Sequence, residues 1–213
     1  MIDELADTLM PIMKSVLENI SGRSADPSPD HINTRRVAAL AVLAGDGDTL
    51  EIGSYFGASA IITALAKKQA GVKGTVYCID PLDGREQMIH NQEQTTGDCY
   101  DVLSGEYWTA ETFRANCERN GANIILVQKP SNPFPSELSY FMFTLSYIDG
   151  DHWHNTPLAD WNNVNYRTEK YIVFDDADDS HPYVMRAVGV ATLDPEWKLL
   201  FHADGLCAFE RVL

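Results

Sequence analysis

The chain has 213 residues, 45% hydrophobic and 10% aromatic, with a formal net charge of −15. This is enough for one well-buried domain with accessory helices. The acidic balance argues against binding nucleic acid through its phosphates, and no apolar run reaches the ~20 residues of a membrane span.

Residues 3–20 place Leu5, Leu9, Ile12, Met13, Val16, Leu17 and Ile20 at helical spacing, and Pro11 is expected to kink that helix or divide it. Its acidic, amphipathic character is not that of a signal peptide. SGRSADPSPD (21–30) reads as a loop, and Asn33 or Thr34 as the cap of a helix over 35–44 that stops at Gly45. Residues 1–45 are therefore expected to form an N-terminal helical cap, and 46–213 a single compact unit.

From residue 49 strand and helix signals alternate. Strands are predicted at 49–52, 75–79, 123–127, 141–148 and 171–174, and helices at 58–70, 109–120, 157–166 and 182–193. Gly71 and Gly121 close the first two of these helices. This alternation predicts an α/β fold, a doubly wound, mostly parallel sheet with helices on both faces. The end differs: 197–203 and 206–212 flank Asp204-Gly205, a hairpin signal. Residues 81–108 are polar with weak periodicity. A lid over a bound ligand and a surface excursion with a short helix are both open readings.

The segment LEIGSYFGAS (50–59) reads as strand, glycine turn and helix start, and VYCID ends a second strand in Asp80. Gly53 and Gly57 let the backbone approach a ligand, and the following helix offers its free N–H groups. An acid at the second strand tip can accept hydrogen bonds from ribose hydroxyls. Together they predict a nucleoside-containing cofactor. The pattern is E-x-G-x-x-x-G from Glu51, without the third glycine of a dinucleotide motif. The acid before the turn disfavours a pyrophosphate and suits a cofactor with an amine and a sulfonium. The segment resembles motif I of the class I S-adenosylmethionine (SAM) methyltransferases. That fold implies a seven-stranded Rossmann-like sheet closed by the antiparallel C-terminal hairpin.

Two more motifs, SYIDGDHWH (146–154) and YIVFDDADD (171–179), each break from an apolar strand into carboxylates. In a parallel sheet these strand ends share one edge with the cofactor crevice, so Asp149, Asp151, Asp175 and Asp176 should converge. Carboxylates so crowded repel unless a cation sits among them, and all-oxygen ligation suits Mg²⁺ or Ca²⁺. IDGDH followed by VFDD resembles the metal-dependent O-methyltransferases of the macrocin and novobiocin-type sugar family, over roughly residues 48–213.

That resemblance implies Asp149, Asp175 and Asp176 as Mg²⁺ ligands and Asp151 as general base. It places Glu51, Gly53, Ser54, Tyr55, Gly57, Ser59, Asp80 and Asp149 around SAM, with Ser131 at the adenine end. It also implies a small hydroxylated acceptor and a homodimer contact through the N-terminal helices. The chain departs from the family at Arg167-Thr168-Glu169-Lys170, where a Gly-Gly pair is usual, and at Pro130, which removes a backbone donor. His152, His154 and His181 lie near the same edge. His181, directly after the acidic turn at a helix start, is the strongest candidate among them for a catalytic base or substrate contact. Asp178 and Asp179 exceed what the motif needs and read as surface.

Cys78, Cys99, Cys117 and Cys207 lack paired C-x-x-C spacing, so a reducing, cytoplasmic setting is expected. Two rival readings remain: a metal-independent SAM methyltransferase whose acids bind a cationic amine, and a non-catalytic nucleotide- or Ca²⁺-binding module on the same scaffold.

Overall fold

The computed structural model describes residues 1–20, 30–82, 100–101, 106–107 and 109–212. The N-terminal amphipathic stretch forms two helices, α1 (Ile2–Thr8) and α2 (Met10–Asn19). Pro11 sits in the first turn of α2, where its missing N–H is no loss, so it divides the pattern rather than kinking it. Met13, Val16 and Leu17 of α2 pack into the core that Ala58, Ile61 and Phe113 share.

Helix α3 (Asp30–Ala44) begins upstream of the expected 35–44 span, so Asn33 and Thr34 lie inside it rather than capping it. Long-range bonding overrides the local preference: the Asn33 amide donates to the Asp204 carbonyl at 2.9 Å. Small residues at Ala38, Ala39, Ala41 and Ala44 are fully buried and let α3 pack closely. Arg36 ties it to Asp3 of α1 at 2.8 Å and to Asp204 at 2.7 Å.

The remaining elements are β1 (Thr49–Ile52), α4 (Ala58–Ala70), β2 (Val76–Ile79), β3 (Tyr100–Asp101), β4 (Glu106–Tyr107), α5 (Ala110–Asn120), β5 (Ile124–Val127), β6 (Phe143–Ile148), α6 (Thr156–Val164), β7 (Thr168–Phe174), α7 (Pro182–Leu193), β8 (Trp197–Ala203) and β9 (Leu206–Arg211). Gly71 and Gly121 end α4 and α5 in left-handed conformation, as expected. Among the described residues, strands β3 and β4 pair with each other and with no other strand. The other seven form one sheet in the order β5-β2-β1-β6-β7-β9-β8, in which β9 runs antiparallel to both neighbours. The expected doubly wound sheet with its hairpin is therefore present. Asp204 and Gly205 take positive φ at the hairpin turn, the backbone that a two-residue connection of matching twist requires.

From β1 the chain steps outward to β2 and β5, then returns to β6 on the other side of β1. This reversal opens a crevice at the carboxyl ends of β1 and β6, where open α/β sheets bind ligands. One face packs Trp161 between Phe174 and Trp197, with ring centroids 6.0 and 5.9 Å away. Most of the 81–108 excursion, on which the lid and surface-excursion readings fall, lies outside the described residues. Among the described residues no helix is long and apolar enough to cross a membrane.

Candidate active site

Backbone bonds tie the strand ends into one row: Gly53 N to Ile79 O at 3.0 Å, Asp149 N to Ile52 O at 2.8 Å, and Asp175 N to Ile148 O at 3.0 Å. Gly53 has φ +83, and a Cβ there would lie 2.0 Å from the Asp149 carbonyl oxygen. Gly57 has φ +89, and a Cβ there would lie 2.9 Å from the Phe113 ring. Both glycines are thus demanded by close packing inside the protein, beyond the ligand approach expected of them. Gly57 also starts α4, whose first turn faces the crevice.

Glu51 is buried in β1 and accepts a hydrogen bond from Ser59 Oγ at 2.8 Å, which pins the first turn of α4 to the strand. Asp80 reaches across the glycine turn. Its Oδ2 accepts from Ser54 N at 2.6 Å and Tyr55 N at 3.1 Å, and its Oδ1 from Leu82 N at 2.9 Å. The acid read as a ribose partner therefore also shapes the turn that would hold the rest of the cofactor. Ser54 Oγ is buried beside the Cys78 thiol, a weak hydrogen-bonding partner.

Strand β7 ends at Phe174, as the convergence of two adjacent acids requires, and Asp176 follows with φ +50, its Oδ2 toward His152 and His181. Tyr147, which the sequence reading missed, lies between the acids. Its hydroxyl donates to Asp175 Oδ2 at 2.6 Å and lies 3.3 Å from Asp149 Oδ2. Burial, then the Asp149 and Asp175 charges, hold the Tyr147 pKa far above its ordinary value, so it acts as a neutral donor. Burial, then the Asp149 charge, push Asp175 up to about 7. Burial also raises Asp149, with the nearby His152 ring acting in the opposite sense. Buried carboxylates facing one hydroxyl need protons or a cation to neutralise them, and among the described residues the ligand atoms that lie within 4.8 Å of one another are those of His152, Asp176 and His181, without Asp149 or Asp175.

Asp151 sits apart from that group. Its Oδ1 accepts from Trp153 N at 3.1 Å and its Oδ2 from Thr156 Oγ1 at 3.1 Å, at the start of α6. His152 stands closer to the acids, with Nδ1 3.3 Å from Asp176 Oδ2. Burial works against charge on His152, but Asp149, Asp176 and Asp175 outweigh it and raise its pKa. His181 immediately precedes α7, and its Nε2 lies 4.0 Å from Asp176 Oδ2. His154 instead packs against Tyr183 at 5.7 Å between ring centroids. Ser131 follows β5, and its carbonyl accepts from Asn163 at 3.1 Å.

Two further residues were missed. Asn33 Nδ2 approaches Asp175 Oδ1 at 3.4 Å from a position 142 residues away, which no local pattern reveals. Asp160 is fully buried beside Gly150, and burial pushes its pKa up to about 7 against the opposing effect of the Ser131 hydroxyl. It does have a signal: α6 buries Pro157, Asp160, Trp161 and Val164, so Asp160 occupies an apolar position of a helical stripe.

No curated protein matches the chain. Among solved structures, a putative O-methyltransferase from Klebsiella pneumoniae is similar at 16% identity, with a TM-score of 0.63 over 95% of this chain and 90% of that one. An O-methyltransferase from Bacillus cereus, in complex with S-adenosylhomocysteine, is similar at 14% identity, with a TM-score of 0.56 over 98% and 91%. A TDP-rhamnose 3′-O-methyltransferase of calicheamicin biosynthesis is similar at 16% identity, with a TM-score of 0.53 over 97% and 93%. These likenesses show the fold. The family model described as a methyltransferase domain matches residues 50–177, more than half of the chain and the span from the glycine turn to the acid pair. The chain belongs to that methyltransferase-domain family and has the class I methyltransferase fold.

Proposed function

We propose that the protein is a SAM-dependent O-methyltransferase acting on a hydroxyl of a small molecule, a sugar being the favoured class. The observation that carries this reading is the juxtaposition at one sheet edge of the glycine turn bound by Asp80 with Asp149, Asp175 and Asp176. Neighbours of the same fold include one in complex with S-adenosylhomocysteine and one named as a sugar O-methyltransferase.

In this reading Ser54, Tyr55, Gly53, Gly57 and Asp80 hold SAM, with Glu51 and Ser59 bracing the turn and Ser131 at the adenine end. SAM supplies an electrophilic methyl group on a sulfonium. A divalent cation would sit among the charges of Asp149, Asp175 and Asp176 and would lower the pKa of an acceptor hydroxyl. Asp151 takes the hydroxyl proton, and the bonds from Trp153 N and Thr156 Oγ1 fix the direction of its carboxylate. Tyr147 and Asn33 hold Asp175 in place on the recess floor.

The test is transfer of an isotopically labelled methyl group from SAM to a panel of hydroxylated acceptors that includes nucleotide-linked sugars. Labelled methyl ether is expected, and Asp151→Asn should lower turnover by about 10²–10⁴-fold while leaving S-adenosylhomocysteine affinity nearly unchanged. Transfer only to amines would overturn the O-methyl reading. Wild-type turnover in Asp151→Asn would overturn the base assignment.

A further inference from the structure

Around Asp176 the donor set is not all oxygen. His152, Asp176 and His181 each turn one ligand atom to a common point, and these atoms lie within 4.8 Å of one another. The side chains are 27%, 40% and 31% exposed, so an ion can enter from solvent. The Nδ1 of His152 is 3.3 Å and the Nε2 of His181 is 4.0 Å from Asp176 Oδ2. Ligands bound at about 2.0–2.2 Å around a tetrahedral ion stand roughly 3.3–3.6 Å apart, so one distance already fits and the other closes by a small side-chain shift.

Two independent features point to an ion there. The remaining nitrogen of His152, Nε2, faces Asp149 Oδ1 at 3.8 Å, a carboxylate placed to orient that ring. His181 has its Nδ1 held by Asp178 Oδ1 at 3.1 Å and Ser180 Oγ at 3.0 Å. A carboxylate on one imidazole nitrogen orients the ring and makes the other nitrogen a better metal ligand. Asp178, read from the sequence as surplus surface charge, thereby acquires a positioning role.

We propose that His152, Asp176 and His181 form one face of the cation site, and that this site selects a first-row transition ion over Mg²⁺. The proposal rests on the reading that a divalent cation assists methyl transfer, and it changes which ion that is. Mg²⁺ prefers six oxygens in near-ideal octahedral geometry, whereas imidazole suits Zn²⁺, Fe²⁺ and Ni²⁺. Asp175 lies outside this face: its Oδ2 accepts the hydrogen bond from Tyr147 and its Oδ1 faces the Asn33 amide. Asp149 and Asp175 contribute the surrounding negative charge.

The test uses the full chain stripped with chelator and titrated with Co²⁺, read by its visible absorption, with Zn²⁺ and Mg²⁺ as competitors. S-adenosylhomocysteine binding is measured on the same samples. One Co²⁺ should bind per chain with the spectrum of nitrogen ligation. Zn²⁺ should displace it, and Mg²⁺ in about hundredfold excess should not. His152→Ala and His181→Ala should each weaken Co²⁺ binding by more than about tenfold, and Asp178→Asn by about 10–100-fold, with S-adenosylhomocysteine affinity kept. Displacement by equimolar Mg²⁺, unchanged Co²⁺ affinity in both histidine variants, or no ion binding would each overturn the proposal. Those results with S-adenosylhomocysteine binding intact would leave the SAM reading standing. Metal binding without any S-adenosylhomocysteine binding would defeat that reading alone.

Discussion

The Tyr147 hydroxyl donates to Asp175 at 2.6 Å, and the same oxygen lies 3.3 Å from Asp149. One proton cannot satisfy two carboxylates, so the second acid depends on its own proton or on a cation. Tyr147→Phe removes the donor and leaves Asp175 with the Asn33 contact at 3.4 Å and the Asp176 backbone N–H. Thermal denaturation in chelator should show a loss of about 1–3 kcal/mol, several degrees in Tm. A saturating divalent ion should reduce that loss. A variant as stable as the wild type in chelator would contradict this account of the recess.

Asp160 gives a pH prediction with a definite sign. Its folded pKa is about 7, raised by burial with a smaller contribution from the Asp151 charge, against an ordinary value of 3.8. Between those values the folded chain keeps a proton that the unfolded chain has lost. Stability therefore falls as pH rises through that window and levels off above it. Asp160→Asn removes the ionisation, so it should be more stabilising at pH 8 than at pH 5, by at most about 3 kcal/mol. Urea denaturation at the two pH values checks this, and equal effects at both would contradict it.

Two glycine substitutions should move stability in opposite directions. At Gly53 the φ of +83 and the carbonyl 2.0 Å from an added Cβ leave no room, so Gly53→Ala should cost more than about 4 kcal/mol. At Gly189, inside α7, an added Cβ meets nothing within 4 Å. Gly189→Ala should stabilise by about 0.5–1 kcal/mol, because it restricts the unfolded chain. Denaturant midpoints of both variants test the pair.

Local signals carried most of the fold. Helix α7 occupies the predicted 182–193, and α4 the predicted 58–70, because their apolar spacing, Pro182 and Gly71 all act within a few residues. Strand β7 was read too short, from residue 171. Its first turn of sequence, Thr168-Glu169-Lys170, looks like loop, yet Thr168 is buried against Ser146 at 2.7 Å, and Lys170 reaches the Ala44 carbonyl at 2.6 Å. The site was legible where acids end strands, as at Asp149, Asp175 and Asp176. It was illegible where distant segments meet, as Asn33 meets Asp175. The three backbone donors that Asp80 accepts were likewise hidden, since side-chain direction at a strand tip is set by the folded turn.

The central claim, that the glycine turn held by Asp80 binds SAM, is tested most directly by calorimetric titration with S-adenosylhomocysteine. Asp80→Ala leaves the N–H groups of Ser54, Tyr55 and Leu82 without their carboxylate acceptor. The account predicts a Kd on the order of micromolar for the wild type, weakened by at least about tenfold in Asp80→Ala. Folded wild-type protein that gives no heat with S-adenosylhomocysteine, or an Asp80→Ala variant that binds as tightly, would contradict it.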